Sequence, residues 1–215
     1  MDSDSRARFA QSRSTKSRSR RHFPLLLFAT PRERANLLWS MPPTPVARDA
    51  IPIPDVPHKH FTLVLVRDYA SERVLLGEKL RGFGAGYFNG FGGKVEQGES
   101  IIDAAARELR EEANIEARDL TARGVLRFIF DDNPQPWLVH VFHASLFDGE
   151  IAPSDEMRPV WFDVNDVPFD KMWADDEHWY PLFMAERRFV GTFTFTQTTR
   201  LVSFHLRTEE DLASV

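Results

Sequence analysis

From residue 60 onward, apolar positions fall into short blocks separated by polar and glycine-rich turns. The blocks 61–66 and 73–77 predict two strands around a turn at 68–72. Segments 124–130 and 137–147 predict a longer strand pair joined by the polar, proline-containing stretch 131–136, and 158–164 predicts a further strand. Segments 165–173 and 177–188 read as a short and a longer helix, and 192–197 with 201–206 as a final hairpin turning at 198–199. Segment 81–86 is rich in glycine and reads as a loop, after which 87–91 leads into a second glycine-rich loop at 90–93.

The period changes from about 100 to 113. There Ile102, Ala105, Ala106 and Leu109 recur at helical spacing and predict an amphipathic helix with one apolar stripe. Strands interleaved with helices of different placement imply an α/β fold, a mixed sheet sandwiched between helices. No internal repeat is present, and no apolar run reaches the length of a membrane-spanning helix.

Charge divides the chain. Residues 1–50 carry 10 Lys/Arg against 4 Asp/Glu, a balance of +6; residues 51–215 carry 17 against 28, a balance of −11. The first piece is Arg/Ser-rich from 6 to 21 and proline-rich from 42 to 57, a composition that cannot bury a core of its own. We therefore expect a disordered extension over 1–58 and a folded domain over 59–215. The extension suits a plain tail, a mitochondrial or nuclear address on an otherwise cytoplasmic protein, or contact with RNA. The acidic body argues against a stable nucleic-acid complex. The absence of cysteine removes disulfides, zinc-thiolate sites and a cysteine nucleophile.

The same helix carries the candidate chemistry. Glu108, Glu111 and Glu112 stand at i, i+3 and i+4, so three carboxylates share one side. A solvated acidic face is the ordinary explanation for such a run. The other is a hard cation, Mg²⁺ or in its place Mn²⁺, held by oxygen ligands. The glycines before the helix allow close backbone approach to phosphates, and Lys94 supplies positive charge beside them.

The full spacing decides between these. Gly93, Glu99, Arg107, Glu108, Leu109, Glu111, Glu112 and Ile115 match the Nudix box, Gly-x5-Glu-x7-Arg-Glu-(apolar)-x-Glu-Glu-x-Gly-(apolar), with Asn114 replacing the last glycine. The chain is identified as a member of the Nudix hydrolase family. The resemblance implies the Nudix fold and hydrolysis of a diphosphate linkage. Glu108, Glu111 and Glu112 would be the catalytic, metal-holding groups, and the Gly92 carbonyl a further metal ligand. Glu99 and Arg107 would support them. Asn114 is the best non-glycine choice for the left-handed residue that ends such a helix.

Beyond the box, segments 82–86, 89–94, 140–142, 154–159, 172–176 and 179–182 resemble the branch of the family that acts on oxidised purine nucleoside triphosphates in animals. The likeness runs from about residue 61 to the C-terminus. It implies hydrolysis of 8-oxo-dGTP and 2-hydroxy-dATP to monophosphate and pyrophosphate, nucleotide-pool sanitation, a monomer and no membrane partner. It adds Glu156 to the metal ligands. It assigns Asn89, Asp175 and Asp176 to reading the base, and Thr62, Leu63, Lys79, Phe83, Phe128 and Trp173 to the pocket lining. Phe91, Gly92, Gly93, Lys94 and Trp137 complete the expected substrate-binding set, with Trp137 standing where the animal proteins carry methionine. Two adjacent aspartates in an apolar pocket would not both ionise, which gives one donor and one acceptor; capping of the following helix is the other explanation for that pair. The alternatives are a Nudix pyrophosphatase for O6-methyl-dGTP, a dinucleoside polyphosphate or an RNA cap, and a non-catalytic nucleotide-binding module.

Overall fold

The computed structural model describes residues 57–209, so nearly all of the expected N-terminal extension lies outside the described residues. The elements run β1 (Lys59–Asp68), β2 (Arg73–Lys79), β3 (Phe88–Asn89), α1 (Ile101–Ala113), β4 (Ile115–Ala117), β5 (Thr121–Phe130), β6 (Asn133–Ala144), β7 (Phe147–Gly149), β8 (Met157–Asp163), a 3-10 turn (Phe169–Lys171), α2 (Asp176–Met184), β9 (Phe189–Thr196) and β10 (Arg200–Thr208). Eight strands form one sheet in the order β10-β9-β5-β6-β1-β2-β3, with β8 also paired to β2, while β4 and β7 form a separate ribbon. The β1–β6 and β5–β9 pairs are parallel and the rest antiparallel, so the sheet is mixed.

Leu63, Val64, Leu65 and Val66 of β1 are all buried, as expected of a central strand covered on both faces. Alternation then sends them to two cores. Val64 and Val66 join Leu75, Phe91, Ala105 and Leu109 beneath α1. Leu63 and Leu65 join Leu76, Trp179, Tyr180 and Phe183 beneath α2. The sheet is therefore sandwiched between the two helices.

Several boundaries move. The stripe of α1 runs through Ile101, Ala105, Leu109 and Ala113 at four-residue steps, and Ile102 is exposed instead. Strand β6 starts at Asn133, leaving Asp131 and Asp132 as the turn. Pro134 and Pro136 are tolerated there because β1 pairs only from Trp137 onward and the β5–β6 register is irregular between Phe128 and Phe130. Segment 165–173 holds only the short 3-10 turn, because Asp163 Oδ1 captures both the backbone and side-chain N–H groups of Asn165 and Pro168 follows. Helix α2 stops at Met184, soon after Pro181, with Glu186 left-handed at φ 55. The β4–β7 ribbon has no counterpart in the expected elements.

Helix α1 is bounded as its sequence suggests. Ser100 caps it by accepting the Asp103 N–H at 3.2 Å. Asn114 ends it in the left-handed region, φ 59 and ψ 31, donating its backbone N–H to Arg110 O and its Nδ2 to Glu150 O. The amide thus meets the backbone requirement and ties the helix end to the loop after β7.

Candidate active site

The loop from Asn89 to Gly93 lies along β1, with Val64 N donating to Phe91 O, Phe91 N to Val64 O and Thr62 N to Gly93 O at 2.9 Å. Its glycines are required by contact. A Cβ on Gly92 would lie 2.0 Å from Thr62 O, and one on Gly93 would lie 2.4 Å from Glu108 Oε1. Their small size therefore lets the loop reach both β1 and the carboxylate face of α1. This close approach to protein adds to the expected approach to phosphate.

Glu112 is buried, and its Oε2 accepts the Gly92 N–H at 2.8 Å. Burial pushes its carboxyl up to about 7, against the Gly92 hydrogen bond and with help from the charges of Glu108 and Glu156. Glu108 is raised too, again first by burial, with Arg107 opposing. Arg107 organises the rest. Its Nε and Nη2 donate to the two Glu99 oxygens at 2.9 and 3.0 Å, and its Nη1 donates to Glu108 at 2.8 Å and Glu111 at 3.1 Å. Glu99 is held below its ordinary range by that pairing. Glu156, in the loop before β8, pairs with Arg81 at 2.6 Å.

Among the described residues no three acidic or imidazole groups already converge as a metal cluster. Each carboxylate is engaged elsewhere: Glu108 and Glu111 by Arg107, Glu156 by Arg81, Glu112 by Gly92. The donor set nevertheless fits a divalent cation. It is all oxygen, and two of its carboxyls are raised, first by burial and further by their acidic neighbours, a cost that a bound cation would relieve.

Beside this face opens a cavity of about 210 Å³. That is below the roughly 300–1,000 Å³ of pockets that enclose whole drug-sized ligands, and it suits a planar base. Aromatic rings form much of its wall. Trp173 stacks with Phe83 at 5.0 Å and meets Tyr87 at 5.0 Å.

Asp175 and Asp176 lie on the same wall, 5% and 2% exposed. Asp175 has helical backbone angles and makes no capping bond; its Oδ2 accepts Trp179 Nε1–H at 3.0 Å. Asp176 Oδ2 accepts the Trp173 N–H at 2.8 Å. The pair therefore does not cap α2. Burial raises Asp175 to about 6, and burial together with the Asp175 charge raises Asp176 well above its ordinary range. Burial and mutual repulsion oppose ionising both carboxyls at once, and a pair that keeps one proton combines a donor with an acceptor.

The NUDIX domain family matches residues 56–183. The chain belongs to the Nudix family.

This Nudix hydrolase is 49% identical over 154 residues to the oxidized purine nucleoside triphosphate hydrolase of Danio rerio, a match covering 72% of the chain and 97% of that protein. It is 45% identical over 147 residues to the protein of the same name from Mus musculus, covering 68% and 93%. The crystal structure of a mutator MutT protein from Bacillus halodurans matches with a TM-score of 0.62 at 30% identity, covering 69% of this chain and 97% of that one. The expected family, fold and enzyme class are borne out.

The Nudix helix and the cavity gather most of the expected residues. Thr62, Leu63, Lys79, Phe83, Asn89, Gly92, Gly93, Phe128, Trp137, Trp173, Asp175 and Asp176 all line the cavity. Two do not. Phe91 is fully buried in the core beneath α1, because alternation along the loop turns it through the sheet from Gly90 and Gly92. Lys94 lies in a separate groove with His60 and Glu99, and its backbone bridges Phe61. Sequence reading missed Phe61, Tyr87, Phe130 and Phe195. The two-residue alternation of Phe128 with Phe130 signals the third of these, whereas Phe195 is placed by the parallel β5–β9 pairing, which no local pattern reveals.

Proposed function

We propose that this Nudix hydrolase acts on oxidised purine nucleoside triphosphates, 8-oxo-dGTP and 2-hydroxy-dATP among them, releasing monophosphate and pyrophosphate and so sanitising the nucleotide pool. The observation that carries this reading is the buried Asp175–Asp176 pair, which lines one cavity with the aromatic wall and the glycine loop. One proton shared over two carboxyls offers a donor and an acceptor, and its movement adapts the pair to guanine-like and adenine-like edges. Asn89 adds a third polar group on the same wall.

Glu108, Glu111, Glu112, Glu156 and the Gly92 carbonyl would hold Mg²⁺, with Mn²⁺ a substitute. Such an ion when bound neutralises polyphosphate charge and lowers the pKa of a water. The chain's own groups do the remaining work. The glycine loop positions the phosphates beside α1, and the aromatic wall excludes water around the base. Arg107 fixes the rotamers of Glu108 and Glu111, and Lys79 lines the cavity near enough to temper the charge of Glu112. The protein would work as a monomer on a small-molecule substrate, in the cytoplasm or wherever its basic extension directs it.

The test is a panel of 8-oxo-dGTP, 2-hydroxy-dATP, O6-methyl-dGTP, unmodified dNTPs, a dinucleoside polyphosphate and capped RNA, with Mg²⁺ and the full chain. Preferential pyrophosphate release from the oxidised nucleotides supports the reading. Preference for the polyphosphate or the cap overturns it.

A further inference from the structure

Arg81 stands beside the carboxylate face with most of its donors still open. It lies just past β2, where the β2–β8 ladder, pairing Lys79 with Met157, brings it against Glu156. Leu80 N donates to Glu156 O at 2.8 Å, and Ser154 Oγ accepts the Glu156 and Met157 N–H groups at 3.2 and 3.1 Å. Both side chains therefore leave from an ordered backbone, and Arg81 Nη2 donates to Glu156 Oε1 at 2.6 Å. The charge of Glu156 adds to burial in raising both Glu108 and Glu112, so its guanidinium partner belongs to the same face. The Arg81 side chain is 61% exposed, and Nη2 is its one nitrogen with a partner among the described residues. Its Nε and Nη1 donors are open to a ligand arriving from solvent.

The neighbouring cations are committed elsewhere. Arg107 is divided among Glu99, Glu108 and Glu111, and Lys94 lies in the separate groove. Lys79 is the one cation among the described residues that line the cavity. A triphosphate that reaches the glycine loop meets the carboxylates of Glu108, Glu111, Glu112 and Glu156, and needs further positive charge there. An exposed ion pair such as Arg81–Glu156 stabilises little, so little is lost when the guanidinium turns to another anion. Its planar fork can hold two phosphate oxygens at once.

We propose that Arg81 is a substrate-binding residue that donates to the phosphates beyond the α-phosphate and so selects nucleoside triphosphates over monophosphates. This rests on the reading of the cavity as a purine nucleotide site. The selection is separate from base reading, which falls to Asp175, Asp176 and Asn89. Arg81 also opens the loop whose Phe83 and Gly84 line the cavity, so the phosphate contact ties that rim to the substrate.

The experiment titrates the full-length chain, Arg81→Gln and Arg81→Lys with 8-oxo-dGTP and 8-oxo-dGMP by calorimetry. Metal is left out, so neither hydrolysis nor metal binding by Glu156 enters the result. We expect Arg81→Gln to bind 8-oxo-dGTP roughly tenfold more weakly and 8-oxo-dGMP as tightly as the parent. Arg81→Lys keeps the charge without the fork and should fall between the two. The side chain is exposed, so neither substitution disturbs the core. Equal affinity of Arg81→Gln and the parent for 8-oxo-dGTP overturns the proposal. An equal loss on both nucleotides overturns it as well, because the effect then lies in the base pocket or its rim. If the unsubstituted chain binds neither nucleotide and hydrolyses no 8-oxo-dGTP with Mg²⁺, the purine-site reading falls and the proposal falls with it. Binding of both nucleotides with a silent Arg81 removes the proposal alone.

Discussion

Glu112 Oε2 accepts the backbone N–H of Gly92 at 2.8 Å, joining the buried carboxylate of α1 to the glycine loop across twenty residues of chain. The bond orients the carboxylate while burial opposes its charge, which leaves it poised for a cation. Glu112→Gln keeps the shape and still accepts from Gly92, but it removes the charge. We predict a fall of at least about a hundredfold in metal-dependent pyrophosphate release. The melting temperature should be unchanged or higher, since a disfavoured buried charge is gone. Near-normal turnover would mean that this helix face is not the active site.

Arg107 tests positioning. Its guanidinium holds Glu99, Glu108 and Glu111 at once, a geometry that a single ammonium cannot reproduce. Arg107→Lys should therefore retain folding but lose about 10- to 100-fold in kcat. It should also need more Mg²⁺ for half-maximal rate, because Glu108 and Glu111 are no longer held in place. Unchanged metal dependence would show that the pairing is only structural.

The aspartate pair predicts a pH signature. Burial raises Asp175 to about 6, above its ordinary value of 3.8, so the folded state binds the proton more tightly than the unfolded chain. Its favourable contribution is complete below about pH 4 and is lost as pH rises through 6. An asparagine has no charge to desolvate and still accepts from Trp179. Asp175→Asn should thus gain stability relative to the parent as pH rises from about 4 to about 7, by about 3 kcal/mol, or several degrees in melting temperature. A difference in melting temperature that does not change with pH would contradict the assigned burial effect.

A chain beginning at Pro57 should keep the hydrolytic rate of the full chain. The family match begins at residue 56, β1 at Lys59 and the first cavity-lining residue at Phe61. Parallel assays of both proteins on 8-oxo-dGTP check this, and a large drop on truncation would place part of the machinery in the extension.

The helix face was the most legible part of the sequence, because its chemistry depends on local spacing: i, i+3 and i+4 carboxylates and an Asn terminus. The central strands were legible for the same reason. What depends on long-range pairing was not. The β4–β7 ribbon joins residues 115–117 to 147–149, and neither piece carries a signal alone. Phe91 reads as a pocket residue from its neighbours, but the pleat turns it into the opposite core. Capping of α2 is the other explanation that the sequence offers for the aspartates, and it falls because Trp179 Nε1–H and the Trp173 N–H are their donors, which no local pattern reveals.

The central claim is that Asp175 and Asp176 read an oxidised base by sharing one proton. It is tested most directly by kcat/KM for 8-oxo-dGTP, 2-hydroxy-dATP and dGTP in the parent, Asp175→Asn and Asp176→Asn. An amide keeps the volume but cannot exchange donor for acceptor by moving a proton, and each lost buried hydrogen bond costs on the order of 1–3 kcal/mol. We predict that at least one variant loses roughly tenfold or more on 8-oxo-dGTP, and that the ratio of 8-oxo-dGTP to 2-hydroxy-dATP changes between the variants. If both variants keep the parent's ratios among all three nucleotides, the aspartates do not read the base and the account is contradicted.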